Sequence, residues 1–274
     1  MKHIHSYYSP NDLYNRIVDG LASLGKDLSE LTLDDLQPVD EFHIRGDAAT
    51  KELIELSGFS SDMHILDVGC GIGGSTRRLS QETGCCVTGI DLSDEYIETA
   101  ERLTQLLSMQ ERVKFHACSA LDVPFSDNHF DGVWSLQMNM NIEDKLTWLK
   151  EVYRVLKPGG RAVLYEVCGS KNTPLYFPVP WAQNSSMSFL LPPDSFRDVV
   201  TASGFDIDVW RDKTDLAQQA FASVTEPVAE PVLPALGVHL LVGSDIKTKA
   251  YNLHRNLDEQ RVSLIEAVAV KADV

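Results

Sequence analysis

A carboxylate stands just ahead of a glycine-rich stretch in His64-Ile65-Leu66-Asp67-Val68-Gly69-Cys70-Gly71-Ile72-Gly73-Gly74. Gly69, Gly71 and Gly74 satisfy G-x-G-x-x-G, and an apolar run ending in such glycines lets backbone approach a ligand where Cβ atoms would block it. The glycines alone suit a dinucleotide equally well. Asp67 is the discriminator: an acid at that point is unfavourable beside a pyrophosphate and favourable beside a ligand bearing an ammonium and a sulfonium. A second carboxylate, Asp91, closes the apolar run Val87-Thr88-Gly89-Ile90, twenty residues after Gly71. There it can accept hydrogen bonds from both hydroxyls of a ribose, or cap the following helix.

Such residues need a scaffold that gathers strand ends. From residue 62 onward, apolar runs alternate with helical periodicity, the pattern of a parallel sheet covered by helices. The spacing predicts strands near 63–68, 85–91, 112–118, 129–135 and 160–167. Helices are expected near 74–83, 94–108 and 143–156, the second capped by Ser93. A helix near 193–203 and strands near 205–211 and 262–270 complete an α/β, Rossmann-like, doubly wound sheet of seven strands. The expected organisation is a single domain over 1–274. A polar helical collar occupies 1–60, the ligand-binding core 62–167, a proline- and aromatic-rich lid 169–193 after the fifth strand, and C-terminal helices with the last two strands 194–274.

Charge narrows the partners. Lys and Arg number 24 against 40 Asp and Glu, a formal net charge of −16 that disfavours nucleic acid and anionic membranes. The apolar runs are too short to span a bilayer, and residues 1–8 lack the pattern of a signal peptide, so a cytoplasmic location is expected. The five cysteines are an odd set, read as reduced thiols, and neither they nor the eight histidines have metal-ligand spacing, so no metal is expected.

In order and spacing, these stretches resemble the class I S-adenosylmethionine-dependent methyltransferases. Residues 64–74 resemble the family's first motif, Cys118-Ser119-Ala120-Leu121-Asp122-Val123-Pro124-Phe125 its adenine-flanking motif, Phe130-Asp131-Gly132-Val133-Trp134-Ser135 its fourth-strand motif, and Leu156-Lys157-Pro158-Gly159-Gly160 the turn into its fifth strand. The resemblance implies S-adenosylmethionine as cofactor, held by Asp67, Gly69, Cys70, Gly71, Gly74, Asp91, Leu92, Ser119, Ala120 and Gln137. Ser119 departs from the family's usual aspartate at the adenine amino group; a hydroxyl accepts that bond more weakly, and the Ala120 N–H can serve the ring nitrogen.

Within the class, the chain resembles small-molecule methyltransferases of the sarcosine/dimethylglycine type. This likeness rests on Asp40-Glu41-Phe42-His43-Ile44-Arg45-Gly46 and on Pro178-Val179-Pro180-Trp181-Ala182 followed by Ser188-Phe189-Leu190. It implies a small-molecule methyl acceptor: a betaine-pathway amine first, a phenolic or quinone-like oxygen or carbon nucleophile second. A non-catalytic cofactor binder and a cyclase are the alternatives. His43 is the candidate catalytic base or positioning residue, or a packing residue of the collar. Arg45 is a candidate partner for a substrate carboxylate. Asn141 stands on the substrate side, where related enzymes often carry a histidine. Tyr176 and Trp181 are candidates for an aromatic wall around an ammonium, or for holding down the lid. Tyr7 and Tyr8 either cover the cofactor or anchor the terminus. A homo-oligomer stays open.

Overall fold

The computed structural model describes residues 12–171, 173–227 and 232–273; Tyr7, Tyr8 and part of the Pro-rich turn from Glu226 to Pro234 lie outside the described residues. The described residues open with α1 (Leu13–Ser23), α2 (Leu33–Asp40), α3 (Gly46–Ser57), β1 (His64–Val68), α4 (Gly74–Thr83), β2 (Cys86–Asp91), α5 (Asp94–Leu106) and β3 (Val113–Ala117). It continues with β4 (Phe130–Leu136), α6 (Lys145–Val155), β5 (Leu156–Gly169), α7 (Pro193–Ala202), β6 (Asp206–Asp212) and α8 (Thr214–Phe221). It closes with α9 (His239–Val242), α10 (Ile246–Asp258) and β7 (Val262–Val270). The sheet is seven-stranded in the order β3-β2-β1-β4-β5-β7-β6, an α/β Rossmann-like arrangement. Two compact units divide the chain: residues 1–119 with 229–246, and residues 120–228 with 247–274.

In the first unit β2 pairs in parallel with β1 and with β3. Ser93 caps α5 as expected, its Oγ accepting from the Tyr96 N–H at 3.3 Å, and Asp94 and Glu95 place negative charge at the positive end of the helix dipole. The inner face of α5 puts Ile97 and Ala100 against Val113 and Phe115 of β3. The collar helices bury Leu13, Ile17, Leu36 and Val39 in one cluster. That cluster is completed from far along the chain by Leu240 and Leu241 of α9, and the Tyr96 hydroxyl donates to the Leu241 carbonyl at 3.1 Å. The segment around α9 therefore belongs with the collar rather than with the C-terminal strands among which the sequence reading placed it.

In the second unit β4 and β5 are parallel, but β7 runs antiparallel to both β5 and β6. The expectation of a parallel sheet fails here because an apolar run does not encode strand direction, and mixed edges are common in such sheets. β5 also starts earlier than expected. Its register with β4 jumps from Phe130↔Leu156 to Gly132↔Arg161, so the intervening residues bulge, with Gly159 at φ 72°. Pro158 thus shapes a bulge, while α6 has already ended at Val155. The lid leaves β5 at Gly169, whose N–H donates to the Leu191 carbonyl at 2.9 Å, and returns to α7 with Pro193 in its first turn. No helix among the described residues is long and apolar enough to cross a membrane.

Candidate functional site

The glycines after β1 have separate reasons to be glycine. Gly69, Gly71 and Gly73 adopt φ values of 79°, 56° and 81°, a left-handed conformation costly to residues with a Cβ. A Cβ added to Gly71 would meet nothing within 4 Å, so the turn opens onto space there. Gly74 was expected to face the ligand. Its added Cβ would instead stand 2.5 Å from both the Cβ and the carbonyl oxygen of Asp40, so close approach of the collar is what dictates this glycine.

Asp91 organises the strand ends. Its Oδ2 accepts from the Gly71 N–H at 3.0 Å and its Oδ1 from the Ser93 N–H at 2.9 Å, while its carbonyl accepts from the Cys118 N–H at 2.9 Å. Gly69 and Cys70 donate to the Ile90 carbonyl beside it. One residue thereby links the glycine turn, the start of α5 and the end of β3, and half-buried Leu92 and Ser119 follow β2 and β3 there. The helix cap is Ser93, which leaves Asp91 on the turn. Asp67 is fully buried; its Oδ2 accepts from the Thr76 hydroxyl at 2.6 Å and the Ser75 hydroxyl at 3.3 Å. Burial raises its pKa to about 7 against the lowering effect of these two bonds, with the Asp91 charge adding to the rise. Open space at Gly71, a fixed carboxylate at the ends of β2 and β3, and a buried acid under the turn form a set that fits S-adenosylmethionine.

The collar loop following α2 is built around His43. Its Nε2 lies 3.1 Å from the Gly46 carbonyl and 3.0 Å from the Thr50 hydroxyl, and burial lowers its pKa to about 4. A ring nitrogen turned to a carbonyl oxygen is its protonated one, and a pKa of about 4 makes a poor base near neutral pH. These contacts are those of a packing residue of the collar. Its neighbour Glu41 accepts from the Thr50 hydroxyl at 3.0 Å, and burial raises its pKa to about 7. Glu41 and Arg45 line a hollow of about 550 Å³ in the collar. The Arg45 guanidinium pairs with Glu52 at 2.8 Å, an internal partner in place of the expected substrate carboxylate.

In the second unit Ala120 and Gln137 are half-buried, and Gln137, at φ 51°, donates its N–H to the Tyr165 carbonyl at 2.8 Å. The other three expected substrate residues are engaged within the protein. Asn141 Nδ2 donates to the carbonyls of Trp181 and Met187 at 3.0 and 3.1 Å, pinning the lid. Trp181 is buried in the lid, with Nε1 donating to the Ser188 hydroxyl at 2.9 Å. The Tyr176 ring already carries the Arg255 and Arg261 guanidiniums at 3.7 and 4.0 Å from its centre, and its hydroxyl donates to Glu259.

Sequence reasoning missed Glu41, which sits inside a quoted motif, and a buried polar group formed by Ser135, Asn139, Lys145 and Glu166. The signal for Glu166 was present: a lone acid within the apolar run of a buried strand, Ala162-Val163-Leu164-Tyr165-Glu166-Val167.

The profile of the methyltransferase domain matches residues 66–164. Methyltransferase GfsG of Streptomyces halstedii is 28% identical over 75% of this chain and 72% of its own length. The chloroplastic tocopherol O-methyltransferase of Arabidopsis thaliana is 40% identical over 38% of this chain, but that match spans only 30% of the relative. Geranyl diphosphate C-methyltransferase of Streptomyces coelicolor A3(2) superposes with a TM-score of 0.68 at 19% identity, over 99% of this chain and 97% of that one. The sarcosine-type reading is not carried by these relatives. It finds a structure assigned to the sarcosine dimethylglycine type, from Galdieria sulphuraria, at 16% identity and a TM-score of 0.63 over 83% of this chain and 85% of that one, a likeness of fold alone. Residues 66–164, from β1 to β5, form a methyltransferase domain, and the fold is that of S-adenosylmethionine-dependent methyltransferases.

Proposed function

We propose that this enzyme methylates an oxygen or carbon nucleophile of an uncharged, phenol-like small molecule. The carrying observation is the state of the expected ammonium wall: the Tyr176 ring already holds two guanidiniums, which occupy the aromatic surface a cationic amine would need. The relative named for O-methylation of tocopherol, a phenol, supports the same direction.

S-adenosylmethionine, when bound, supplies a methyl group activated on a sulfonium. Asp91 would hold the ribose hydroxyls, Gly69, Cys70 and Gly71 would give backbone access, and Asp67 would oppose the positive charge. Leu92 and Ser119, in the same unit, would add to the cofactor contacts. What the protein adds to an in-line displacement is alignment, exclusion of water and, for a phenol, a place for the proton. Glu41 takes that last role in place of His43: with a pKa of about 7 it is a carboxylate in half the molecules near neutrality and a far better match than a histidine at about 4. Glu41→Gln is therefore expected to lower kcat for a phenol about a hundredfold with cofactor affinity unchanged; an unchanged kcat removes Glu41 from the chemistry.

The test of the function is a panel of phenols, quinols and amines, including sarcosine, with S-adenosylhomocysteine release as the readout. Turnover is expected on phenols or quinols. Turnover confined to amines contradicts the proposal, and stoichiometric cofactor binding without turnover on any acceptor points to a binding protein.

A further inference from the structure

Lys145 occupies a position that local physics disfavours. It is the first residue of α6, where the helix dipole is positive, and it is 3% exposed. Its ammonium is satisfied by three backbone carbonyls: Asn139 at 3.1 Å, Ile142, and Phe189 of the lid. On the other side of Asn139 stands Glu166, wholly buried in β5. One Glu166 oxygen accepts from the Ser135 hydroxyl and the other from the Asn139 N–H, each at 3.0 Å. Asn139 is thus gripped through its N–H by Glu166 and through its carbonyl by Lys145, while its own Nδ2 donates to the Val167 carbonyl at 2.7 Å.

The same segment is fastened to the lid a second way. The Phe189 N–H donates to the Met140 carbonyl at 2.8 Å, and Asn141 bonds the lid carbonyls of Trp181 and Met187. Two buried ionisable groups are costly to maintain, and burial moves both toward their neutral forms, Glu166 up to about 8 and Lys145 down to about 8. Hydrophobic residues would pack these elements more simply; what the hydrogen bonds of these two polar groups supply is one fixed geometry of loop and lid.

We infer that Lys145 and Glu166 are positioning residues for the methyl acceptor, locking the segment after β4 to the lid so that the two present a single rigid wall. The inference rests on the proposed function only in taking that wall to face the acceptor, on the general rule that ligands of open α/β sheets lie beyond the carboxyl ends of the strands.

The experiment compares wild type with Lys145→Met and Glu166→Gln. It reads the acceptor KM, the cofactor Kd and backbone hydrogen exchange over residues 181–189. Lys145→Met strands three carbonyls and is expected to raise the acceptor KM about tenfold or more and speed exchange across the lid, with the cofactor Kd held within about twofold. Glu166→Gln keeps an acceptor for the Asn139 N–H and is expected to shift both quantities in the same direction by less. Unchanged exchange and unchanged acceptor KM in a folded Lys145→Met overturn the inference, as does an equal loss of cofactor and acceptor binding. Should Lys145→Met fail to fold, Glu166→Gln decides on the same readouts. Exchange is measured without substrate, so a lock that fails is distinguished from a wild-type enzyme that turns over no acceptor.

Discussion

Asp67 and Asp91 are both acids beside one glycine turn, but the first is buried on side-chain hydroxyls and the second holds backbone N–H groups. Asp91 accepts two backbone N–H groups and organises the turn, so Asp91→Ala removes the expected ribose acceptor and loosens Gly71 together. Calorimetry on that variant should show cofactor binding weaker by at least about 1.5 kcal/mol, roughly tenfold; unchanged affinity would remove Asp91 from the cofactor site. Asp67 titrates near 7 because it is buried. A cationic ligand favours the ionised form, so cofactor affinity should be full above pH 7 and fall below it, by up to about tenfold per pH unit at most. Asp67→Asn should abolish that slope. A slope that persists in the variant assigns it to another group.

At the scale of elements, the contact between collar and glycine turn is built with no room to spare. Gly74→Ala forces a methyl group onto the Asp40 backbone, and the buried Arg77–Asp40 pair, with two bonds of 2.8 Å, resists separation. The variant should be destabilised by about 1–3 kcal/mol, read as a lower Tm; a Tm equal to wild type would mean that the collar moves aside freely. This contact also shows what a sequence can disclose. The strands were legible to within a few residues because each is an apolar run bounded by turn residues, and Ser93 was legible as a cap because capping is local. The close approach that requires a glycine at 74 was hidden because it lies at Asp40, thirty-four residues earlier and invisible to motif spacing. The direction of β7, the docking of α9 on the collar, and the internal partners of Asn141, Tyr176 and Trp181 were hidden for the same reason: each depends on a partner distant in the chain. The acceptor side suffered most, since lid composition says which aromatics are present and not which are already in use.

For the whole molecule, the net charge of −16 bears on which acceptors can arrive. A field of that sign repels a diphosphate, so the fold shared with geranyl diphosphate C-methyltransferase does not carry that substrate across. An uncharged phenol or quinol meets no such barrier, and an ammonium, which that field attracts, finds the Tyr176 ring already occupied by two guanidiniums. The most direct measurement supplies S-adenosylmethionine carrying an isotope-labelled methyl group together with a mixed panel of phenols, quinols and amines, and then locates the label in the product by NMR. The account predicts the label on oxygen or carbon of a phenol or quinol, with one S-adenosylhomocysteine formed per methyl transferred. A label found only on the nitrogen of an amine such as sarcosine would contradict it.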